Sequence, residues 1–221
     1  MNEEAKLTLR ANTLRTTRLE LLKKFKQMGW WAEPTKFAPN GIRFVRPPEG
    51  NLFKLVEFKK GHFEVQDEAS QLLAMRVDAK PKQTILDYCA GSGGKTLAFA
   101  PFMHNSGQIY LHDIRKSVEI QAKQRLRRAG VQNAQFHHDK MRLRKLLKGK
   151  CDWVLLDVPC SGSGVLRRNP DLKWKFSRER LEEMRKVQEL ILDESRWFMK
   201  NDGSSKLVYC TCSILPEENI L

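Results

Sequence analysis

The chain has 221 residues, of which 41% are hydrophobic, so it can build a core and is too apolar for a disordered segment. Lys and Arg number 40 against 26 acidic residues, and the net charge of +14 favours a polyanionic partner such as nucleic acid. No apolar run approaches the roughly 20 residues that span a bilayer, and the start lacks a signal-peptide core, so we expect a cytoplasmic protein without membrane contact.

The first segment, residues 1–80, predicts a small α+β module. The stretch "KLTLRAN" alternates like a β-strand, and "TTRLELLKKFKQMG" begins with Thr caps and has apolar residues at helical spacing before Gly29. A second strand, "GIRFVRPP", ends at Pro47, and "VQDEASQLLAMRV" predicts a helix that leads to Pro81.

The second segment, residues 81–221, alternates between strands and helices. Its predicted strands are "TILDY", "QIYLHD", "AQFHH", "WVLLDV" and "KLVYC". Its predicted helices are "KTLAFAPFM", "KSVEIQAKQRLRRAG", "KMRLRKLLKG" and "SRERLEEMRKVQELILDESRWFMK". This order predicts an α/β fold with a mostly parallel, doubly wound sheet, in which ligands bind beyond the carboxyl ends of the strands.

A glycine-rich loop, "DYCAGSGGKT", follows the first of these strands. Small residues at a strand-to-helix turn let the backbone approach a ligand and direct free N–H groups at it. The spacing matches neither the P-loop nor the dinucleotide fingerprint, so the loop is either a cofactor cradle or a tight packing turn. The candidate cofactor-binding residues are Cys89, Ala90, Gly91, Ser92, Gly93, Gly94 and Lys95.

Acidic residues follow the next two strands. Asp113 lies about 20 residues beyond the glycines, where a carboxylate accepts both hydroxyls of an adenosine ribose or else caps the following helix. Asp139 is placed either to meet an adenine edge or to cap the helix from Lys140. With the glycine loop, these residues predict an adenosine-bearing cofactor and give no sign of a triphosphate site.

The fourth and fifth strands end in cysteine motifs. Asp157 and Cys160 stand where a substrate would meet the cofactor, and the fifth strand ends in "YCTCS". Cys160 and Cys212 therefore come from neighbouring strand ends and can face one pocket. Cys210 is expected to face away from that pocket within its strand.

The other cysteines predict neither disulfides nor a metal site. Five cysteines without regular spacing and without an export signal indicate reduced thiols. Zinc sites usually need four ligands in paired clusters. The sequence has no second closely spaced Cys or His pair that would complete a site with Cys210 and Cys212. We interpret Cys89, Cys151 and Cys210 as small buried hydrophobic residues and expect no bound metal.

Three motifs closely resemble those of the Sun (Nol–Nop–Sun) family of RNA 5-methylcytosine methyltransferases: "LDYCAGSGGKT", "LLDVPCSGSGVLRRNPDLKW" and "LVYCTCSILPEEN". The segment "FEVQDEASQLLA" also resembles the family's lead-in from its small N-terminal RNA-binding module. The resemblance implies a Rossmann-like methyltransferase core at residues 81–221, an RNA-binding module at residues 1–80, S-adenosyl-L-methionine as the cofactor and RNA as the partner.

The same resemblance implies roles for the catalytic residues. Cys212 is expected to add to carbon 6 of cytosine, which activates carbon 5, and Cys160 to assist release of the product. DNA cytosine methyltransferases instead use the thiol of a Pro-Cys motif, which would point to Cys160. Asp157 would contact the N3/N4 edge of cytosine or the methionine part of the cofactor. Lys95, Arg167 or a helix N-terminus would lower the pKa of Cys212.

Four basic residues after Cys160 are expected to hold RNA phosphates: Arg167, Arg168, Lys173 and Lys175. Trp174 and Trp153 are candidates to stack on a base, although Trp153 lies within a strand and fits the core better. The expected substrate is small-subunit (16S) ribosomal RNA, with transfer RNA as the alternative. A non-catalytic RNA-binding or ribosome-assembly protein is the alternative of a different class.

The chain departs from the family pattern at two places. Ser92 replaces the usual Pro of the glycine loop, a small backbone change that should still allow binding. Family members continue beyond "PEEN" into the last strands of the sheet, so we expect the core to lack these strands and to be truncated at its C-terminal end.

Overall fold

Two β-sheets organise residues 5–220, the part of the chain that the computed structural model describes. The first sheet and its helices comprise β1 (Thr8–Ala11), α1 (Arg18–Gln27), β2 (Ala32–Pro34), β3 (Gly41–Phe44), α2 (Val56–Lys59), β4 (Phe63–Val65) and α3 (Glu68–Ala74). The strands lie in the order β2-β3-β1-β4, and each neighbouring pair is antiparallel. The prediction of a small α+β module is therefore confirmed.

Helix α1 covers one face of this sheet. Thr17 and Glu20 form a capping box at its start, which satisfies backbone N–H groups that the helix leaves free. Phe25 of α1 is fully buried together with Leu9 and Phe63 of the sheet. The apolar residues at helical spacing thus build the core of the first module.

The second sheet is parallel and has five strands. It and its helices comprise β5 (Thr84–Asp87), α4 (Thr96–Phe99), β6 (Gln108–Leu111), α5 (Val118–Ala129), β7 (Ala134–Phe136), α6 (Lys140–Leu147), β8 (Trp153–Asp157), α7 (Leu172–Lys175), α8 (Arg178–Ser195) and β9 (Lys206–Cys210). The order is β7-β6-β5-β8-β9, so the direction of winding reverses between β5 and β8. All five predicted strands are present.

Apolar side chains on both faces of this sheet are buried. Ile85 and Leu155 belong to one core cluster, whereas Leu86 and Leu156, their neighbours along β5 and β8, belong to another. Because successive side chains of a strand point to opposite faces, helices cover the sheet on both sides. The predicted fold class, a Rossmann-like, mostly parallel, doubly wound sheet with a small α+β module, is confirmed.

Several element boundaries differ from those predicted. Val65 belongs to β4, and the following helix begins only at Glu68, where the side chain of Asp67 caps it. The helix predicted after the glycine loop ends at Phe99 and gives way to a 3₁₀ turn that contains Pro101, because proline lacks the N–H that an α-helix needs.

The two sheets meet along the end of α5. The side chain of Asn12 donates to the carbonyl oxygens of Gly61 and Ala129, at 2.8 Å each. Glu64, which is buried in β4, forms ion pairs with Arg125 and Arg128. These contacts join α5 to the first sheet through buried polar groups. No helix among residues 5–220 is long and apolar enough to cross a membrane.

Candidate active site

The glycine loop between β5 and α4 begins the site. Gly91 and Gly93 have φ angles of +52° and +78°, which only glycine adopts without strain. The N–H of Gly91 donates to Oδ2 of Asp113 at 2.8 Å. The guanidinium of Arg125 donates to the carbonyl oxygen of Ser92 at 3.1 Å, which fixes the loop to α5. The loop therefore has a defined shape at the reversal point of the sheet.

Asp113 follows β6 and is 5% exposed. Burial alone would raise the pKa of this carboxyl, but hydrogen bonds from Arg115 and Gly91 hold the pKa below its usual value. Helix α5 begins at Val118, so Asp113 does not cap it. By contrast, Asp139 caps α6, because its Oδ1 accepts from the N–H of Arg142 at 3.0 Å.

Lys95 and two carboxyl groups, those of Asp157 and Asp87, lie beside the loop. Lys95 pairs with Asp157 at 2.5 Å between Nζ and Oδ2. Burial alone would lower the pKa of Lys95, but the facing carboxylate of Asp157 holds the pKa above its usual value. Asp87 accepts from the Thr96 hydroxyl at 2.7 Å, and burial raises the pKa of Asp87 to about 7.

The two cysteines of the strand-end motifs face each other. Sγ of Cys160 lies 3.2 Å from Sγ of Cys212, and the N–H of Cys212 lies 3.3 Å from the Cys160 sulfur. A hydrogen bond from the Cys160 thiol lowers the pKa of Cys212 to about 7, although burial alone would raise it. The positive charge of Lys95 also lowers the pKa of Cys212. The same contact raises the pKa of Cys160. The exposed member, Cys212, is thus the more readily ionised thiol.

The remaining cysteines lie away from this pair. Cys210 is buried, with Sγ 3.5 Å from the carbonyl oxygen of Leu156, and burial raises its pKa to about 12. Burial also raises the pKa of Cys151 to about 12. Cys89 is half-buried and packs against the core. Among residues 5–220, no group of three or more potential metal ligands forms a metal site.

The predicted phosphate-binding residues lie on the loop between β8 and α8. Arg167 is exposed, and the short helix α7 presents Lys173 and Lys175. Arg168 forms an ion pair with Asp67 of the first module, at 2.5 Å. Trp174 is 81% exposed beside them, whereas Trp153 is 7% exposed and belongs to the core.

A polar network beneath the two cysteines was not predicted from the sequence. It consists of Ser161, Gln188, Ser213, Glu218 and Asn219. Glu218 and Asn219 belong to the "PEEN" segment, which is part of the family resemblance. No local signal marks Glu218, because an acidic residue in a polar turn such as "PEEN" is usually exposed.

The residues of this edge fit an adenosyl cofactor. Positive-φ glycines leave room for close approach. The carboxylate of Asp113, which accepts from Gly91 and Arg115 in this structure, is the type of acceptor that ribose hydroxyls need. Oδ1 of Asp87 is buried and has no hydrogen-bond partner among the described residues. Buried polar atoms are nearly always paired, so this oxygen is available for a hydrogen bond with a ligand.

This sheet order with a ligand edge at the strand ends defines a Rossmann-like fold. The solved structure of the protein PH0851 matches 98% of the chain and 49% of its own, with 30% identity and a TM-score of 0.91. A methyltransferase homologue from Pyrococcus horikoshii matches 98% of the chain and 67% of its own, with 28% identity and a TM-score of 0.84.

Comparison with protein-family models identifies the family within this fold. The model described as 16S rRNA methyltransferase RsmB/F matches residues 74–221, and that of the RsmF/B-like ferredoxin-like domain matches residues 1–49. The chain belongs to the RsmB/F methyltransferase family, which confirms the resemblance noted from the motifs. Ribosomal RNA small subunit methyltransferase B of Photorhabdus laumondii is 34% identical over 99% of the chain and 50% of its own length. The chain spans about half the length of the curated relatives it matches.

Proposed function

We propose that the protein transfers a methyl group from S-adenosyl-L-methionine to carbon 5 of a cytosine in RNA, with small-subunit ribosomal RNA as the substrate. The observation that carries the proposal is the thiol pair, in which Cys160 lies 3.2 Å from Cys212 and lowers the pKa of Cys212 to about 7. A relative that is 34% identical is named as a small-subunit rRNA methyltransferase, which supports the choice of RNA. With this substrate, we place the activity in the cytoplasm.

The glycine loop and its neighbours would hold the cofactor. Backbone groups of residues 89–94 line the cradle, Asp113 would accept the ribose hydroxyls, and Asp139 would stand at the adenine edge. Lys95 and Asp157 would flank the methionine part. When bound, S-adenosyl-L-methionine supplies an electrophilic methyl group.

Cys212 would act as the nucleophile. Its thiolate forms a bond from Sγ to carbon 6 of cytosine, and the electron pair of the C5–C6 double bond becomes available at carbon 5. Asp157 would hydrogen-bond the N3/N4 edge of the base as charge develops there. Carbon 5 would then take the methyl group that the bound cofactor supplies, and the cofactor's sulfonium would leave as a neutral thioether. Removal of the carbon-5 proton by a base would re-form the C5–C6 double bond and break the Sγ–C6 bond, a release that Cys160 would assist.

Two basic surfaces support RNA as the partner. Arg167, Arg168, Lys173 and Lys175 stand on the loop beside the thiol pair, with Trp174 available to stack on a base. A groove of about 860 Å³ between α2 and the end of α5 forms the second surface. Its cationic side chains are Arg15, Lys59, Lys60, Arg127 and Arg128. We therefore propose that residues 1–80 are an RNA-binding module and residues 81–221 the methyltransferase core.

Incubation with radiolabelled S-adenosyl-L-methionine and ribosomal RNA tests the proposal. The wild-type protein should label cytosines, and Cys212→Ala should abolish labelling. Cys160→Ala should accumulate a denaturation-resistant RNA adduct, because release is impaired after the covalent step. Absence of label with ribosomal RNA, or full activity of Cys212→Ala, would contradict the proposal. Label that appears only with transfer RNA would contradict the choice of substrate.

A further inference from the structure

Glu218 is an acidic residue with 0% exposed area, in the 3₁₀ turn Pro216–Glu218 that follows β9. Burying a carboxylate is costly unless hydrogen bonds replace water. Burial alone would raise the pKa of Glu218, but hydrogen bonds from Ser161, Ser213 and Gln188 hold the pKa below its usual value. The carboxylate is therefore ionised and held by neutral donors, which makes it a strong acceptor at a fixed place.

Glu218 holds the residue after Cys160 directly and the residue before it through Gln188. Oε1 of Glu218 accepts from the N–H of Ser161 at 2.8 Å, and Oε2 accepts from the Ser161 hydroxyl. The amide of Gln188, which is fully buried on α8, donates to Oε1 at 3.0 Å and to the carbonyl oxygen of Pro159 at 2.9 Å. The backbone is thus fixed directly before and directly after Cys160.

Asn219, the next residue, holds the two neighbours of Cys212 in the same way. Oδ1 of Asn219 accepts from the Thr211 hydroxyl at 2.9 Å, and Nδ2 donates to the carbonyl oxygen of Ser213 at 3.2 Å. Nδ2 also donates to the carbonyl oxygen of Leu215 at 2.8 Å, which closes the loop onto the turn. Three of the four residues that flank the two cysteines are therefore bound to the same short turn, and the fourth, Pro159, is linked to it through Gln188.

A direct contact also joins the two cysteine loops. The Ser213 hydroxyl lies 3.3 Å from that of Ser161 and 2.9 Å from that of Ser163. The N–H of Gly164 donates to the carbonyl oxygen of Cys212 at 2.9 Å. The relative position of the loops is therefore set by the turn together with a row of hydroxyls.

We propose that Glu218 and Asn219 are positioning residues that hold the Cys160 and Cys212 loops at the separation where one sulfur donates to the other. The catalytic meaning of this proposal rests on the proposed function, whereas the geometric part does not. If either side chain is lost, the loops are free to separate, and the thiol of Cys212 loses the donor that stabilises its thiolate. Lys95 and Asp157, the other charged groups that face Cys212, remain in place.

The variants are Glu218→Gln and Asn219→Ala, with Glu217→Gln as the matched control. The Glu218→Gln change would keep the shape and one acceptor oxygen of the side chain but would replace the acceptor of the Ser161 hydroxyl with a donor. Glu217 is exposed in the same turn, so its substitution makes the same charge change without touching the network. The rate of Cys212 alkylation by iodoacetamide is measured against pH by peptide mass spectrometry, with folding checked by circular dichroism.

The expected result is an alkylation midpoint about one pH unit higher in both variants, which lowers the Cys212 alkylation rate about tenfold at pH 6. Glu217→Gln should match the wild type. On ribosomal RNA, kcat should fall on the order of 10- to 100-fold with little change in KM, because the reacting groups are misplaced. If Glu218→Gln does not fold, Asn219→Ala decides the test, since its side chain lies at the surface.

The two proposals fail in different ways. Unchanged alkylation profiles and kcat in both variants, with active wild-type protein, would overturn the positioning role and leave the methyltransferase proposal intact. Shifted alkylation profiles in the two variants would support the positioning role. If the wild-type protein also never transfers methyl groups, the proposed function is overturned while the positioning role stands.

Discussion

Cys160 and Cys212 stand 3.2 Å apart between sulfurs, well beyond the roughly 2.05 Å of a disulfide, so they are two thiols within hydrogen-bonding distance. The first proton leaves at a lowered pKa and the second at a raised one, as in any closely coupled pair. The chemistry of one cysteine is therefore a property of both, and of whatever fixes the distance between them.

Asp87 is another residue whose ionisation differs between the folded and unfolded chain. Burial raises its pKa from the usual 3.8 to about 7. The folded state therefore binds a proton more tightly, so this contribution to stability is complete below pH 3.8 and is lost as the pH rises through about 7. The slope approaches about 1.4 kcal/mol per pH unit between these values.

Asp87→Asn should remove this pH dependence while an amide oxygen still accepts from Thr96. The melting temperature of the variant should rise relative to the wild type between pH 5 and pH 8, as measured by circular dichroism in both proteins. A difference that stays constant over that range would show that Asp87 is not protonated in the folded protein.

At the site, the sequence was sufficient to predict the position of residues that lie at strand ends. Asp113, Asp157 and Cys160 stand at or just beyond the ends of predicted parallel strands, so the topology alone places them at one edge. Glu218 could not be found in this way, because its burial depends on Gln188 of α8 and Ser161 of another loop. Contacts between distant segments are invisible to local periodicity.

Among the elements, the buried strands of the second sheet were predictable and the shortest strands of the first were not. β2 and β4 have three residues each, too few to show alternation, and β2 contains Pro34. That proline is tolerated because β2 lies at the edge of its sheet. The strand assignment therefore depends on pairing with β3 and not on the propensity of its own residues.

Helix α5 connects the first sheet to the glycine loop through one side chain. Arg125 donates to Glu64 of β4 at 3.0 Å and to the carbonyl oxygen of Ser92 at 3.1 Å. Gln66 adds a second link, from its amide to the carbonyl oxygen of Gly94 at 3.1 Å. The shape of the proposed cofactor cradle thus depends partly on the N-terminal module.

Arg125→Met should weaken binding of S-adenosyl-L-methionine about tenfold, because losing charge-assisted hydrogen bonds of about 1.5 kcal/mol loosens the loop. Lys123→Met, at an exposed position on the same helix, is the matched control and should bind as the wild type does. Isothermal titration calorimetry measures both constants. Equal affinities for the two variants would contradict the role of Arg125.

At the scale of the whole molecule, the two basic surfaces, the loop after Cys160 and the groove between α2 and the end of α5, lie at different distances from the thiol pair. Helix α5 has 12 residues and so runs about 18 Å from the cofactor edge to the basic groove at its far end. An RNA that occupies both surfaces must extend over several nucleotides. The groove would then hold backbone phosphates while the loop near Cys160 presents the target base.

Reversing Lys59 and Lys60 to Glu should weaken binding of ribosomal RNA and reduce its salt dependence, because fewer counterions are released from phosphates. The slope of log affinity against log salt should fall by about 0.7 to 0.9 for each lost contact. The matched control reverses Lys145 and Lys186, which are exposed on α6 and α8. Filter binding from about 50 to 200 mM salt measures the slopes. Identical slopes for the two double variants would exclude the groove as an RNA surface.

The close packing at Gly61 has a consequence for protein engineering. A Cβ built there would stand 2.0 Å from the carbonyl oxygen of Arg128, and the φ angle of +72° already favours glycine. Because Asn12 also bridges Gly61 and Ala129, the contact between the first sheet and the end of α5 has no room for a side chain at position 61. A chimaera that joins residues 81–221 to the N-terminal module of another protein would need a glycine and an asparagine at the matching positions. Without them, the two parts would not pack against each other.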